Sequence, residues 1–290
     1  MFDCAIIGTG PAGLEAALTL KARNKNFILI GSNKSSEKVY KAHEIKNYLG
    51  LPNISGEDFQ NAFLKHIELM NIKIHDDRIA QIYDMGDYYA LQGKNEMIEA
   101  KSIIIATGVG MDKPLKGENE LLGNGVSYCA TCDAQLYKNK DICVLIDNTD
   151  EMDEVKFLSS VVNNITLIPL SKNVIINSEG NINVISEKPI EVKNADNKKA
   201  VVTDNNEYIV DGIFILRKSV PSSYLIYGIE MDDNHIKVDR LMKTNLRGVF
   251  ACGDIVGKPY QYIKAAGEGN VAALSAVSFL DELRRNKNED

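Results

Sequence analysis

The 290-residue sequence contains no run of about eighteen apolar residues, which excludes a membrane-spanning helix. A basic, apolar leader is also missing: MFDCAIIGTGPAG passes straight into a strand-like segment, so the cytoplasm is the expected location. Positive charge is in deficit, with 33 Lys+Arg against 40 Asp+Glu and a formal net charge of −7. That deficit argues against a nucleic-acid partner, which needs a concentrated basic surface. Cysteine is scarce and odd in number; of the five, only two lie close together, which excludes a disulfide scaffold and leaves one working pair. No repeat of fixed short period occurs. What remains is ordinary for a globular protein, 44% apolar and 25% charged, and long enough to bury roughly three quarters of its unfolded surface.

The order of the apolar runs carries the fold. CAIIG (4–8) reads as a short buried strand ending at glycine. GLEAALTLKAR (13–23) places Leu14, Ala17, Leu18 and Ala22 at helical spacing, and FILIG (27–31) is a second strand. Strand, glycine turn, helix and strand make a βαβ unit on a parallel sheet. Further buried strands are expected at 102–107, 141–146, 165–170, 212–216 and 248–254. Residues 81–100 and 182–210 alternate more loosely, as hairpins or meanders do. A last helix is expected over 263–285, ending in the frayed tail RRNKNED. The strand-plus-helix pattern of 3–23 recurs at 141–161, so the expectation is an α/β chain of two Rossmann-like, three-layer domains.

The two modules differ at their first turn. GTGPAG sets Gly8, Gly10 and Gly13 in the G-x-G-x-x-G spacing, between an apolar strand and a helix. In that setting the first glycine makes the tight turn, the second admits a pyrophosphate, and the third lets helix and strand approach. A purely structural glycine turn is the alternative. The acidic residue that commonly ends the second strand is absent, since the chain reads Gly31-Ser32-Asn33. In the second module, DICVLI runs into Asp147-Asn148-Thr149-Asp150-Glu151 with no glycine, and no arginine follows ITLIPLSKN to receive a 2′-phosphate. Side chains there block backbone approach and carboxylates repel phosphate, so NADPH binding is not expected.

Cys129-Ala-Thr-Cys132 lies in GVSYCATCD, beside the second module. Two thiols at this spacing can close a small disulfide ring, and a redox pair is the favoured reading. A half zinc site competes but needs two more ligands, while the other cysteines sit in apolar strands and His43, His66, His75 and His235 are scattered; no metal is expected. An inert pair is the third reading. Asp133 is a candidate proton donor or acceptor, with an ordinary turn residue as the alternative. Cys4, Cys143 and Cys252 read as small core residues.

Taken together, GTGPAG (8–13), IKNYLG (45–50), IIIATG (103–108), GVSYCATCD (125–133), GVFACGD (248–254) and AAGEGNVAALSA (265–276) resemble bacterial thioredoxin reductases, flavoprotein disulfide reductases of low molecular weight. The resemblance implies FAD, with its pyrophosphate across Gly8, Gly10, Pro11, Ala12 and Gly13. It implies further contacts from Asn47, Thr107, Gly108, Gly253 and Asp254, with Gln261 and Tyr262 near the flavin ring. It also implies a homodimer, and an FAD domain (1–113 plus 246–290) carrying an inserted domain (117–243) with the cysteine pair. Cys132 would face the flavin, and Cys129 would attack thioredoxin.

The departures point to a sub-group. The family's NADPH fingerprint and 2′-phosphate arginines are missing, the turn at 34–39 reads KSSEKV, and Tyr260 replaces an arginine. The chain is most similar to the ferredoxin-dependent flavin thioredoxin reductases, which share the loss. The expected activity is therefore electron transfer from reduced ferredoxin through FAD and Cys129–Cys132 to thioredoxin. Lys34, Lys38, Lys41 and Lys46 are candidates for docking an acidic ferredoxin, with a solvated face as the alternative. The competing activities are a flavin dithiol oxidase passing electrons to oxygen, an NADPH-dependent thioredoxin reductase with a disguised site, and a non-catalytic flavin-binding sensor or scaffold.

Overall fold

The computed structural model describes residues 1–32, 44–94, 96–108, 114–171, 174, 176–217 and 225–286. The chain divides into two compact units, Met1–Val109 with Pro221–Asp290, and Gly110–Val220. Among the described residues no helix is long and apolar enough to cross a membrane.

The first unit opens with β1 (Phe2–Ile7), α1 (Pro11–Ala22) and β2 (Phe27–Ile30). It continues through α2 (Gly56–Leu69), β3 (Ile74–His75), β4 (Gln81–Asp84), β5 (Tyr89–Gln92) and β6 (Met97–Ile105). The sheet order is β3-β2-β1-β6-β5-β4. The β1–β2, β1–β6 and β2–β3 pairs are parallel and the β4–β5–β6 meander antiparallel. Both faces of β1 are buried: Cys4 and Ile6 join one apolar layer, Ala5 and Ile7 the other. Such two-sided burial explains why the strand reads as a continuous apolar run.

The second unit holds α3 (Glu118–Leu121), β7 (Val126–Ser127), α4 (Ala130–Asp133), β8 (Asp141–Ile146), α5 (Met152–Ser159) and β9 (Asn164–Pro169). Then come β10 (Ile182–Val184), β11 (Pro189–Ala195), β12 (Lys198–Thr203), β13 (Glu207–Val210) and β14 (Gly212–Leu216). A parallel sheet of order β10-β9-β8-β14-β7 sits beside an antiparallel β11-β12-β13 sheet. Ile142, Val144 and Ile146 alternate along β8 to meet Val155 and Leu158 of α5.

The chain returns to the first unit with β15 (Met231–Asp232), β16 (His235–Ile236), β17 (Val249–Ala251) and α6 (Tyr262–Asn286). β17 pairs in parallel with β6, from Val249 opposite Ile103 to Ala251 opposite Ile105. α1 and α6 pack one face through alanines at 12, 16, 17, 265, 272, 273 and 276. Leu225, Ile226, Ile229 and Ile236 cover the other face. Hence the return lies near 221, where the sequence reading places it at 246: those four apolar residues complete the first sheet's second layer. Residues 182–184 also differ from expectation, pairing in parallel with β9 and not belonging to the meander.

Candidate active site

In the first unit the glycine turn is built by close approach. Gly8 has φ +118°, and a Cβ there would lie 2.2 Å from the Ala106 carbonyl oxygen. A Cβ on Gly13 would lie 1.9 Å from the Gly8 oxygen, so strand and helix touch through bare backbone. Gly10 is different, because a Cβ there meets nothing within 4 Å. It caps α1 in extended conformation, with no side chain on the helix amides, proline next and no acid in the first turn. Open space in front of uncapped, positively poised amides is the arrangement a pyrophosphate requires.

Of the other residues singled out in this unit, Gly253 and Thr107 lie against that turn, while Asn47, Gln261 and Tyr262 make contacts of their own. A Cβ on Gly253 would lie 2.9 Å from Ala12 Cβ, which sets the 253–256 turn against the start of α1. Thr107 and Gly108 (φ +69°) follow the end of β6, where the Ala106 amide donates to Ile7 O at 2.8 Å. Asn47 Nδ2 donates to Gln261 Oε1 at 2.7 Å, joining residues 214 apart in sequence. Tyr262 packs on Phe59, ring centroids 5.4 Å apart, and burial followed by the Asp254 charge raises its phenol. Three participants were not foreseen. Thr9 Oγ1 donates to Ser32 O at 3.0 Å, tying the turn to the end of β2. Glu268 Oε2 accepts the Gly253 amide at 3.0 Å, and Lys264 donates to Gly257 O at 2.7 Å and pairs with Glu268 at 3.1 Å. The i,i+4 spacing of Lys264, just before the AAGEG stretch (265–269), and Glu268 within it was the available signal.

In the second unit Cys129 and Cys132 form a disulfide, Cα–Cα 5.4 Å. Cys129 is half-buried and Cys132 exposed. The Cys132 amide donates to Cys129 Sγ at 3.2 Å, and the Asp133 amide to Cys129 O at 3.4 Å. Tyr137 stands near Asp133; burial first, then that carboxylate, raises its phenol. The remaining cysteines are fully buried: desolvation pushes the Cys4 thiol up to about 12 and drives Cys143 and Cys252 upward too, so none of them is reactive. Among the described residues no group of three or more His, Cys, Asp or Glu could hold a metal ion.

The second module's turn is closed by its own side chains. Asn148 Oδ1 accepts the Asp150 amide at 2.7 Å, while its Nδ2 donates to Asp147 Oδ1. Asp150, Glu151, Asp153 and Glu154 crowd the first turns of the helical stretch, and Glu151 is buried. A carboxamide thus occupies an amide that a phosphate would need, and four carboxylates follow in the first turns of the helical stretch. Of the lysine run only Lys46 lies within the described residues, exposed and paired with Glu44 at 2.9 Å; Lys34, Lys38 and Lys41 lie outside them, as does the 34–39 turn.

The family profile described as "Pyridine nucleotide-disulphide oxidoreductase" matches residues 2–148 and 173–269. A thioredoxin reductase of Helicobacter pylori is 32% identical over 319 residues, covering 97% of this chain and 99% of that protein. One from Listeria monocytogenes is 30% identical, covering 98% and 95%. Two crystal structures of a ferredoxin-flavin thioredoxin reductase from Clostridium acetobutylicum are also similar. One is 46% identical with TM-score 0.86, covering 98% of each chain; the other is 40% identical with TM-score 0.89, covering 97% and 98%.

Proposed function

The chain belongs to the pyridine nucleotide-disulphide oxidoreductase family as a thioredoxin reductase, a flavin disulfide oxidoreductase; from that premise we propose that its electron donor is reduced ferredoxin and not NADPH. One observation carries the reading. Of two equivalent strand–turn–helix modules, the first keeps an open, acid-free glycine turn, and the second has its turn capped by Asn148 and followed by Asp150, Glu151, Asp153 and Glu154 in the first turns of its helical stretch. The similarity to the Clostridium acetobutylicum ferredoxin-flavin enzymes supports it.

FAD is the family's cofactor, and the first turn fits it: the space before Gly10 and the bare amides of α1 suit its pyrophosphate. Gly8, Gly10, Pro11, Ala12 and Gly13 would hold the phosphates, with Thr107, Gly108, Gly253 and Asp254 beside them. Asn47, Gln261 and Tyr262 would bound the ring. Bound there, FAD supplies a centre able to take electrons singly and give them up in pairs, which suits a one-electron donor and a two-electron disulfide.

The chain's own sulfurs do the rest. Reduction of the Cys129–Cys132 bond takes two electrons and two protons and yields a dithiol. Cys129 attacks the thioredoxin disulfide, expelling one thioredoxin thiolate and forming a mixed disulfide. Cys132 then attacks Cys129 Sγ, restoring the ring and releasing dithiol thioredoxin. The Cys132 amide on Cys129 Sγ supports Cys129 as the attacking thiolate, because a hydrogen bond to sulfur favours its charged form. Asp133, next in the chain, would exchange the proton of the second thiol. The direction is downhill: from about −400 mV for a plant-type ferredoxin to about −270 mV for thioredoxin is worth about 6 kcal/mol for two electrons. A cytoplasmic homodimer completes the reading, and light scattering checks the dimer.

The deciding experiment is an anaerobic titration of flavin absorbance against NADPH, NADH and photoreduced ferredoxin in parallel. Bleaching by ferredoxin alone is expected. Rapid bleaching by micromolar NADPH, with ferredoxin ignored, sinks the proposal.

A further inference from the structure

Beneath the cysteine pair lies a buried charge cluster that the reaction above does not use. Glu118, at the start of α3, is fully buried and accepts four hydrogen bonds. Its Oε1 takes Arg217 NH1 and the Tyr128 hydroxyl, the latter at 2.6 Å; its Oε2 takes Arg217 NH2 at 3.0 Å and the Leu115 amide at 2.7 Å. Arg217, just beyond β14, is buried as well. Tyr128 is buried too and directly precedes Cys129.

A buried ion pair contributes little net stability compared with an apolar filling of the same shape, because desolvation offsets most of the attraction. What a two-pronged Arg–carboxylate contact does supply is fixed direction. Here that direction points at Tyr128. The segment ahead of it is already registered to the sheet, with Val126 opposite Ile213 and Ser127 opposite Phe214. Ser127 Oγ accepts the Cys129 amide at 3.1 Å and donates to Cys129 O at 3.2 Å. Backbone register, an anchored ring and a serine clamp all end on one residue. We propose that Tyr128, oriented by the Glu118–Arg217 pair, is a positioning residue for Cys129: it holds the sulfur where the Cys132 amide reaches it, and so keeps Cys129 the better nucleophile.

The proposal deepens the reading of Cys129–Cys132 as an exchange pair and rests on it. Its test uses the full-length FAD-loaded protein carrying Cys132→Ser, which keeps the backbone amide at position 132 and leaves Cys129 as the only unburied thiol. The rate of alkylation by iodoacetamide is followed against pH, with and without Tyr128→Phe, a change that removes one hydroxyl and keeps the ion pair. The ionisable side chains on the pair's own turn and on the helical stretch packed against it are Asp133, Tyr137, Glu151, Asp153, Glu154 and Lys156; all are common to both proteins, so they cancel in the comparison. The expected result is a profile midpoint raised by about one pH unit, roughly a tenfold loss of thiolate at neutral pH. Arg217→Lys keeps the charge but not the two-pronged contact; it is expected to move the midpoint the same way, and it carries the test if Tyr128→Phe does not fold. An unmoved midpoint alongside a lowered melting temperature overturns the proposal, because the cluster is then only structural. No donor or thioredoxin enters the assay, so its failure is separate from failure of the proposed function.

Discussion

At the scale of single residues, two glycines three positions apart make opposite demands. A Cβ on Gly13 would collide with the Gly8 oxygen at 1.9 Å, whereas one on Gly10 projects into open space. Gly13→Ala is therefore expected to lower the stability of the apoprotein by about 1–3 kcal/mol, the range for forced overpacking. Gly10→Ala is expected to leave the apoprotein's melting temperature unchanged and to weaken FAD binding, because its methyl fills the space assigned to the pyrophosphate. Denaturation of both apoproteins and a flavin titration separate the effects; equal FAD affinity in Gly10→Ala and the parent would remove the cradle from this turn. The sulfurs divide similarly. Cys129→Ser is expected to abolish thioredoxin reduction and leave ferredoxin-driven bleaching of the flavin intact, as measured by rapid mixing. These residues were legible in the sequence because their chemistry is local: glycine spacing and CxxC spacing need no tertiary knowledge. The Glu118–Arg217–Tyr128 cluster was not, since its members are up to 99 positions apart and only folding brings them together.

At the scale of elements, the buried strands were legible because continuous apolar runs of strand length have one home, a sheet covered on both faces. α2 was not foreseen, although Ser55 caps it by accepting the Asp58 amide at 3.1 Å; its buried apolar side chains, Phe59 and Ile67, are sparse among polar ones. The parallel pairing of 182–184 and the return of the chain near 221 depend on which sheet each short apolar segment covers, and no local pattern encodes that. Two predictions belong here. Asn148→Ala removes the cap of the second module's turn and is expected to cost about 1 kcal/mol. It is not expected to create NADPH affinity, since Asp150, Glu151, Asp153 and Glu154 remain; calorimetric binding of NADPH to that variant would show that the cap alone bars the site. The second concerns Asp3, which joins β1 to β6 through Lys101 at 2.8 Å, accepts the Asn26 amide at 3.2 Å and reaches Arg284 of α6 at 3.5 Å. Burial alone raises its carboxyl, but these partners together outweigh burial and hold it below the usual value of 3.8. A depressed carboxylate stabilises the fold above its unfolded pKa and loses that contribution as pH falls through the folded one. Asp3→Asn is thus expected to be less stable than the parent at pH 7, with the gap closing below about pH 3.8 in urea denaturation series. A gap independent of pH would assign the effect to packing.

At the scale of the whole molecule, the chain keeps two copies of one structural idea and uses them differently. Each unit has a sheet with parallel strands at its centre, and in each one such strand, β1 or β8, ends at a turn leading into a helical stretch. The first turn leads directly into helix amides that no side chain caps, whereas in the second Asn148 caps the short 149–151 turn that precedes the helix. A ligand that binds the native state protects the amides it covers and, at a hundred times its Kd, adds about 2.7 kcal/mol of stability. Hydrogen exchange read along the entire chain therefore tests the division of labour in a single experiment. Added FAD is expected to slow exchange over residues 8–14, 105–108 and 252–256, where the cradle, the end of β6 and the 253–256 turn meet. Added NADP+ is expected to leave residues 146–156 exchanging as before, because the Asp150 amide is already bonded to Asn148 and the neighbouring carboxylates repel phosphate. The two halves of this outcome are independent. Protection of 146–156 by NADP+ would return the second module to nucleotide binding and make NADPH the donor, even with the FAD cradle intact. If FAD protects nothing in the first unit, the flavin assignment to this turn fails, and the donor question loses its basis.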